Sequence, residues 1–228
     1  GSPSARALKP GIERVWLDGK RKISLDHSVP QIGAPAAWQA GLDGTGVKVA
    51  VLDTGIDATH PDLAGQIAEA ENFTTAADAD DEVGHGTHVA STIAGTGAAS
   101  GGRYKGVAPG ADLVIGKVCE TDFCEESAIL AGMTWAASRA PVINMSLGGG
   151  DSPEIDPLEA AVGELTEQHG TLFVIAAGNA GGYATVGSPA SADAALAVGA
   201  VDRDDQIAPF SSRGPRVGDN AIKPEITA

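Results

Sequence analysis

Four short segments end apolar runs in residues that can do chemistry. Val49-Ala50-Val51-Leu52-Asp53-Thr54-Gly55 puts a carboxylate directly after an apolar run, where burial is costly unless partners meet it. Taken alone, Asp53 is either the cap of the following turn or a functional carboxylate. Gly84-His85-Gly86-Thr87-His88-Val89-Ala90 sets a histidine between two glycines, so the backbone can turn tightly and a second group can approach closely. His85 then stands at the mouth of a helix, and His88 reads as a satisfied core histidine. The two are three apart, but no third ligand and no zincin-type glutamate accompanies them, which argues against a metal centre. Asn144-Met145-Ser146-Leu147-Gly148-Gly149-Gly150 leads from a strand into glycines. It is either a flexible turn or a bare edge on which an extended peptide adds as a strand. Ala176-Ala177-Gly178-Asn179-Ala180-Gly181-Gly182 carries a side-chain amide at a strand end. Asn179 is either a turn former or a donor to a developing oxyanion.

These segments need elements to hold them. Nearly continuous apolar runs at 47–52, 112–118, 142–145, 172–176 and 196–201 predict strands covered on both faces. Helices are expected between them. One spans 85–93. A second spans 127–140 and carries Ile129, Leu130, Met133 and Trp135. A third has Asp156 as cap, Pro157 at its first position, an apolar face at Leu158, Ala161, Val162 and Leu165, and Gly170 just past its end. Alternating strands and helices predict a parallel α/β sheet, with chemistry at the carboxyl ends of its strands. Residues 1–26 are unlike the rest: 12–23 is basic, with a short apolar run closed by a turn.

Composition narrows the function classes. The chain has 228 residues, 43% of them hydrophobic, enough for one globular domain with a sizeable core. No apolar run approaches the roughly 20 residues that span a bilayer. The net charge of -15 argues against nucleic acid and anionic membranes as partners, since both repel an acidic surface. Cys119 and Cys124 are the only cysteines. One close pair is too little for a disulfide framework, and no histidine flanks it to complete a metal site. A small disulfide loop is the expectation, favouring an oxidising compartment; two reduced thiols on a surface turn are the alternative.

Taken together and in this order, the segments resemble the subtilase family of serine endopeptidases. The resemblance rests on VAVLDTGID with HPDL close behind, HGTHVA, GVAPGA, INMSLGG, VIAAGN, and VGAVDRDD followed by FSSRGP. It covers residues 29–228 and implies a three-layer, subtilisin-like α/β fold with a central, mostly parallel sheet in a peptidase domain at 27–228. Residues 1–26 then resemble the end of an inhibitory propeptide. By the resemblance Asp53 and His85 are triad members and Asn179 is the side-chain donor of the oxyanion hole. Ser146, Leu147 and Gly148 are the edge that pairs with substrate backbone. Ala176, Ala177 and Gly178, with the 185–187 region that includes Gly187, are the wall and floor of the first specificity pocket. The chemistry agrees: Asp holds the imidazole in one tautomer, the imidazole takes a proton from a serine, and fixed dipoles meet the oxyanion. A secreted, extracellular peptidase acting on peptides or proteins is implied, with no cofactor needed for the chemistry.

The sequence departs from the family at one decisive point. The nucleophile is expected in a Gly-Thr-Ser-Met-Ala segment opening a helix, and residues 1–228 contain none. The last stretch, Ile222-Lys223-Pro224-Glu225-Ile226-Thr227-Ala228, is one that precedes the serine by a few tens of residues in the family. Ser146 matches the substrate edge, and Ser211 and Ser212 match a later loop. The expectation is a domain incomplete at its C-terminus and inactive alone, with the serine on a bound C-terminal fragment. A truncated chain and an inactive subtilase-like peptide-binding protein are the alternatives. For metal, the resemblance makes Asp62 a calcium ligand, and the acidic run Asp78, Asp80, Asp81, Glu82 could supply further oxygens. The loop at 95–106 lacks the expected side-chain ligand, so a structural calcium and a solvated acidic loop both stand.

Overall fold

The structure is a computed structural model describing residues 25–121 and 123–228. The propeptide-like reading of the N-terminal tail falls outside the described residues, apart from the last two positions of 1–26. Among the described residues seven strands form one sheet: β1 (Lys48–Asp53), β2 (Ile67–Asn72), β3 (Asp112–Lys117), β4 (Val142–Met145), β5 (Leu172–Ala176), β6 (Ala195–Gly199) and β7 (Ile226–Thr227). They lie in the order β2-β3-β1-β4-β5-β6-β7, and every neighbouring pair is parallel. Five α-helices accompany them among the described residues: α1 (Leu25–Gln31), α2 (Ala34–Gln39), α3 (His85–Ala94), α4 (Glu126–Ala137) and α5 (Pro157–His169).

Successive strand side chains point to opposite faces, and both faces are buried here. Ala50 and Leu52 of β1 and Val114 of β3 pack with Ile129 and Met133 of α4 and Leu158 and Val162 of α5. Val51 of β1 and Leu113 and Ile115 of β3 pack instead with Ala90 and Ala94 of α3. Helices on both sides of a parallel sheet make the three layers, as expected from the apolar runs. The chain leaves β1 toward β2 and β3 on one side and returns to β4 on the other. The strand order therefore reverses at β1, and a crevice opens at its carboxyl end. Asp53 sits there.

The five expected strands are present, with ends shifted by up to two residues. β2 was not expected, because IAEAEN places Glu69 and Glu71 on an edge strand and has no apolar run. The two-residue β7 and the short α1 and α2 also lay below what patterning reveals. α4 ends at Ala137 rather than 140, since Pro141 disfavours helical backbone before it. α5 matches its expectation closely. Asp156 Oδ1 accepts the Leu158 and Glu159 N–H groups at 2.9 Å each, Glu159 returns a bond to the Asp156 N–H, and Gly170 takes the left-handed conformation at φ 70°.

Candidate active site

The pair at the head of the crevice is built by two backbone turns. Asp53 is 3% exposed, and its Oδ1 accepts the Thr54 N–H at 2.8 Å. The same oxygen lies 2.7 Å from Nδ1 of His85. With the carboxylate ionised, Nδ1 carries the proton and Nε2 remains a base. Gly84, at φ 94°, delivers His85 to the first position of α3. The imidazole is about half exposed and lines the cleft. The hydrogen bond to Asp53 raises the His85 pKa above the ordinary histidine value. Burial opposes this, and the negative charges of Asp53 and Asp81 add to the rise.

The cleft has a volume of about 450 Å³. Asp53, His85 and the edge at Ser146, Leu147 and Gly148 line it, and Ile129, Leu158 and the Cys119–Cys124 pair add apolar surface. Cys119 and Cys124 are disulfide-bonded, and Phe123 between them is 85% exposed at the rim. Gly187, which faces this edge, has a steric reason to be glycine. Gly149 N–H donates to Ser188 O at 2.9 Å, and a Cβ on Gly187 would fall 2.1 Å from Gly149 O. No side chain fits between these two backbones, so Gly187 lies directly against the edge.

Asn179 and its neighbours stand at the carboxyl end of β5, outside the lining of that cleft. Ala177 N–H donates to Val198 O at 2.9 Å, and its carbonyl accepts Gly187 N–H at 3.1 Å. Gly178, at φ 106°, turns the chain, and its carbonyl accepts Ser212 N–H at 2.9 Å. Ser212 Oγ in turn accepts Ala180 N–H at 3.2 Å. Asn179 is therefore an exposed side chain on a pinned turn. Ala176 and Ala177 precede it at the end of β5. The structure thus gathers Asp53, His85, Ser146, Leu147 and Gly148 in one cleft and sets Ala176, Ala177, Gly178, Asn179 and Gly187 beside it.

The calcium expectation meets a poor donor set. Asp62 Oδ1 accepts Ala99 N–H at 2.6 Å, and its carbonyl accepts Thr96 N–H at 2.9 Å, so Asp62 braces the 95–106 loop. No group of three or more His, Cys, Asp or Glu gathers as a metal cage among the described residues. Asp81 of the acidic run faces inward. It accepts hydrogen bonds from Thr54, Val83, Gly84 and Thr87. Burial pushes its pKa up, but those donors outweigh it and hold the carboxyl down at about 2. His88 corrects another expectation: it is exposed on α3, not in the core. Two supporting residues were not anticipated, Asp81 in this role and Lys117. Lys117 is 1% exposed and donates to Thr54 O and Asp80 O. A lysine closing the apolar run LVIGK was the available signal.

The subtilase family model matches residues 44–228. The chain belongs to the subtilase family. Similar proteins include serine protease AprX of Bacillus subtilis (strain 168), 37% identical over 95% of this chain and 54% of that one. Subtilisin E of the same organism is 40% identical over 89% of this chain and 53% of its own length. The major intracellular serine protease of that organism is 38% identical over 85% of this subtilase and 63% of its own length. This subtilase spans about half the length of the first two.

Proposed function

We propose that these residues form the larger part of the catalytic domain of a serine endopeptidase whose nucleophilic serine comes from a segment outside residues 1–228. The observation that carries this reading is the 2.7 Å contact between His85 Nδ1 and buried Asp53 at the head of a cleft walled by a bare strand edge. Substrate backbone adds along the edge at Ser146, Leu147 and Gly148, and its scissile carbonyl comes to rest beside His85. The serine Oγ attacks that carbonyl carbon while His85 Nε2 takes the hydroxyl proton. Asp53 stays ionised and stabilises the imidazolium. The carbonyl oxygen becomes an oxyanion, to which the Asn179 amide donates. His85 then gives its proton to the leaving amine, the C–N bond breaks, and an acyl-enzyme remains. Water then attacks the acyl carbon while His85 takes its proton, and His85 returns that proton to the serine Oγ as the ester C–O bond breaks and the carboxylic acid leaves. The proton transfers run through side chains, so the chemistry asks for no cofactor.

Secretion fits the same reading, since a disulfide persists in an oxidising compartment. No helix among the described residues is long and apolar enough to cross a membrane. The test is hydrolysis of an unstructured protein by the whole protein. Activity that disappears in Asp53→Ala and His85→Ala is expected, and activity that survives both substitutions overturns the reading.

A further inference from the structure

One carboxylate ties together the two turns that carry Asp53 and His85. Asp81 Oδ1 accepts the Thr54 hydroxyl at 2.8 Å, Val83 N–H at 3.1 Å and Gly84 N–H at 2.8 Å. Its Oδ2 accepts Thr87 N–H at 2.8 Å and the Thr87 hydroxyl at 2.6 Å. Thr54 follows Asp53 in the chain, while Gly84 and Thr87 bracket His85. The Thr54 hydroxyl also accepts Gly86 N–H at 2.9 Å, which closes a ring between the strand end and the helix start. Behind it the backbones are paired: Ile56 N–H donates to Ala79 O at 3.0 Å and Asp81 N–H to Ile56 O at 3.3 Å. Lys117 Nζ donates to Thr54 O at 3.0 Å and also to Asp80 O, one carbonyl from each of the two paired segments.

The geometry points to Asp81 as a positioning residue for the Asp53–His85 pair, clamping the end of β1 to the first turn of α3. This rests on the acyl-transfer reading above, since it assigns Asp81 to that same pair. The ionised form suits the role, because five donors converge on two oxygens and a carboxylate has only acceptors to offer. An amide fails there: its NH2 group would face the Thr87 N–H, which cannot turn away. A negative charge at the start of α3 is also favoured by the helix dipole. The other charged groups around His85 are Asp53 on β1, Glu82 on the preceding loop and Lys117 behind Thr54. Across the cleft are Glu126 on α4 and Asp156 before α5.

The role can be tested without a substrate, by proton and nitrogen NMR of the His85 ring in the whole protein. The native chain should titrate His85 above the ordinary value and show a Nδ1-bound proton held by Asp53. Asp81→Asn should lower the midpoint by about half a pH unit or more and broaden or remove the Nδ1 proton signal. Thr54→Val keeps every charge, removes one arm of the clamp, and should broaden the same signal with a smaller shift of the midpoint. If Asp81→Asn does not fold, Thr54→Val decides. A raised midpoint and sharp Nδ1 signal that persist unchanged in the folded variants overturn the positioning role, even if the variants are less stable. A native chain with no raised His85 midpoint overturns the acyl-transfer reading itself, so the two failures are distinguishable.

Discussion

Gly86, in the first turn of α3, lies against Gly55, two residues after Asp53: a Cβ on Gly86 would stand 2.3 Å from the Gly55 carbonyl oxygen. The helix that presents His85 and the turn that presents Asp53 therefore meet backbone to backbone. The distance between the Asp53 and His85 side chains depends on the absence of a third. Gly86→Ala should force the segments apart, costing about 1–3 kcal/mol of stability and most of the activity. Gly163, within α5, has open space around its Cβ position, and Gly163→Ala should stabilise by about 0.5–1 kcal/mol. Thermal unfolding of both variants checks this. A Gly86→Ala protein as stable as the native one contradicts the close approach.

The raised His85 pKa fixes the sign of two pH effects. In the proposed role of general base His85 must be neutral, so kcat/KM should rise with pH to a midpoint above about 6.5. Asp53→Asn should lower turnover by about 10⁴-fold through the wrong tautomer. For stability the order is reversed: the folded state favours imidazolium, so this contribution is present below the unfolded pKa and lost as pH rises through the folded one. It is small, because the ring is half exposed. Asp81 behaves oppositely, since its pKa is lowered to about 2. Its contribution is present above about 3.9 and fades as pH falls toward the folded value. Denaturant titrations of Asp81→Asn and native chain between pH 2 and 6 should converge at the acid end; a constant gap contradicts the linkage.

The sheet and the pair at its switch point were legible because each carries a local signal. Apolar runs mark β1, β3, β4, β5 and β6, and Asp156, Pro157 and Gly170 mark α5 at both ends. Asp53 and His85 stood out as polar residues where apolar strands and glycines end. What was not legible is long-range. Asp81 looked like one acid in a run of acids until folding turned it inward onto Thr54 and Thr87. The partners of Lys117 come from residues 37 and 63 positions away. β2 escaped because an edge strand tolerates alternating glutamates, and His88 was misjudged because a helical face cannot be assigned until its neighbours are known.

Asn179 is proposed to act only once charge develops. Asn179→Ala in the active whole protein should lower kcat by about 100- to 1,000-fold with little change in KM. Steady-state kinetics checks it, and an effect confined to KM would make Asn179 a ground-state contact.

The Cys119–Cys124 bond closes a ring too short to restrain the unfolded chain strongly. It also shapes the cleft wall around Phe123. Reduction should alter preference among extended peptide substrates more than it alters melting temperature. Two titratable thiols in the unreduced, denatured protein would refute the disulfide at the outset.

The central claim is that residues 1–228 supply the base, its orienting carboxylate and the oxyanion donor to a serine from elsewhere. Fluorophosphonate labelling of the whole protein, with the labelled residue located by peptide mapping, tests it most directly. One labelled serine outside residues 1–228 is expected, with labelling lost in His85→Ala. A label on any residue within 1–228, Ser146, Ser211 and Ser212 included, or no label at all, would contradict it.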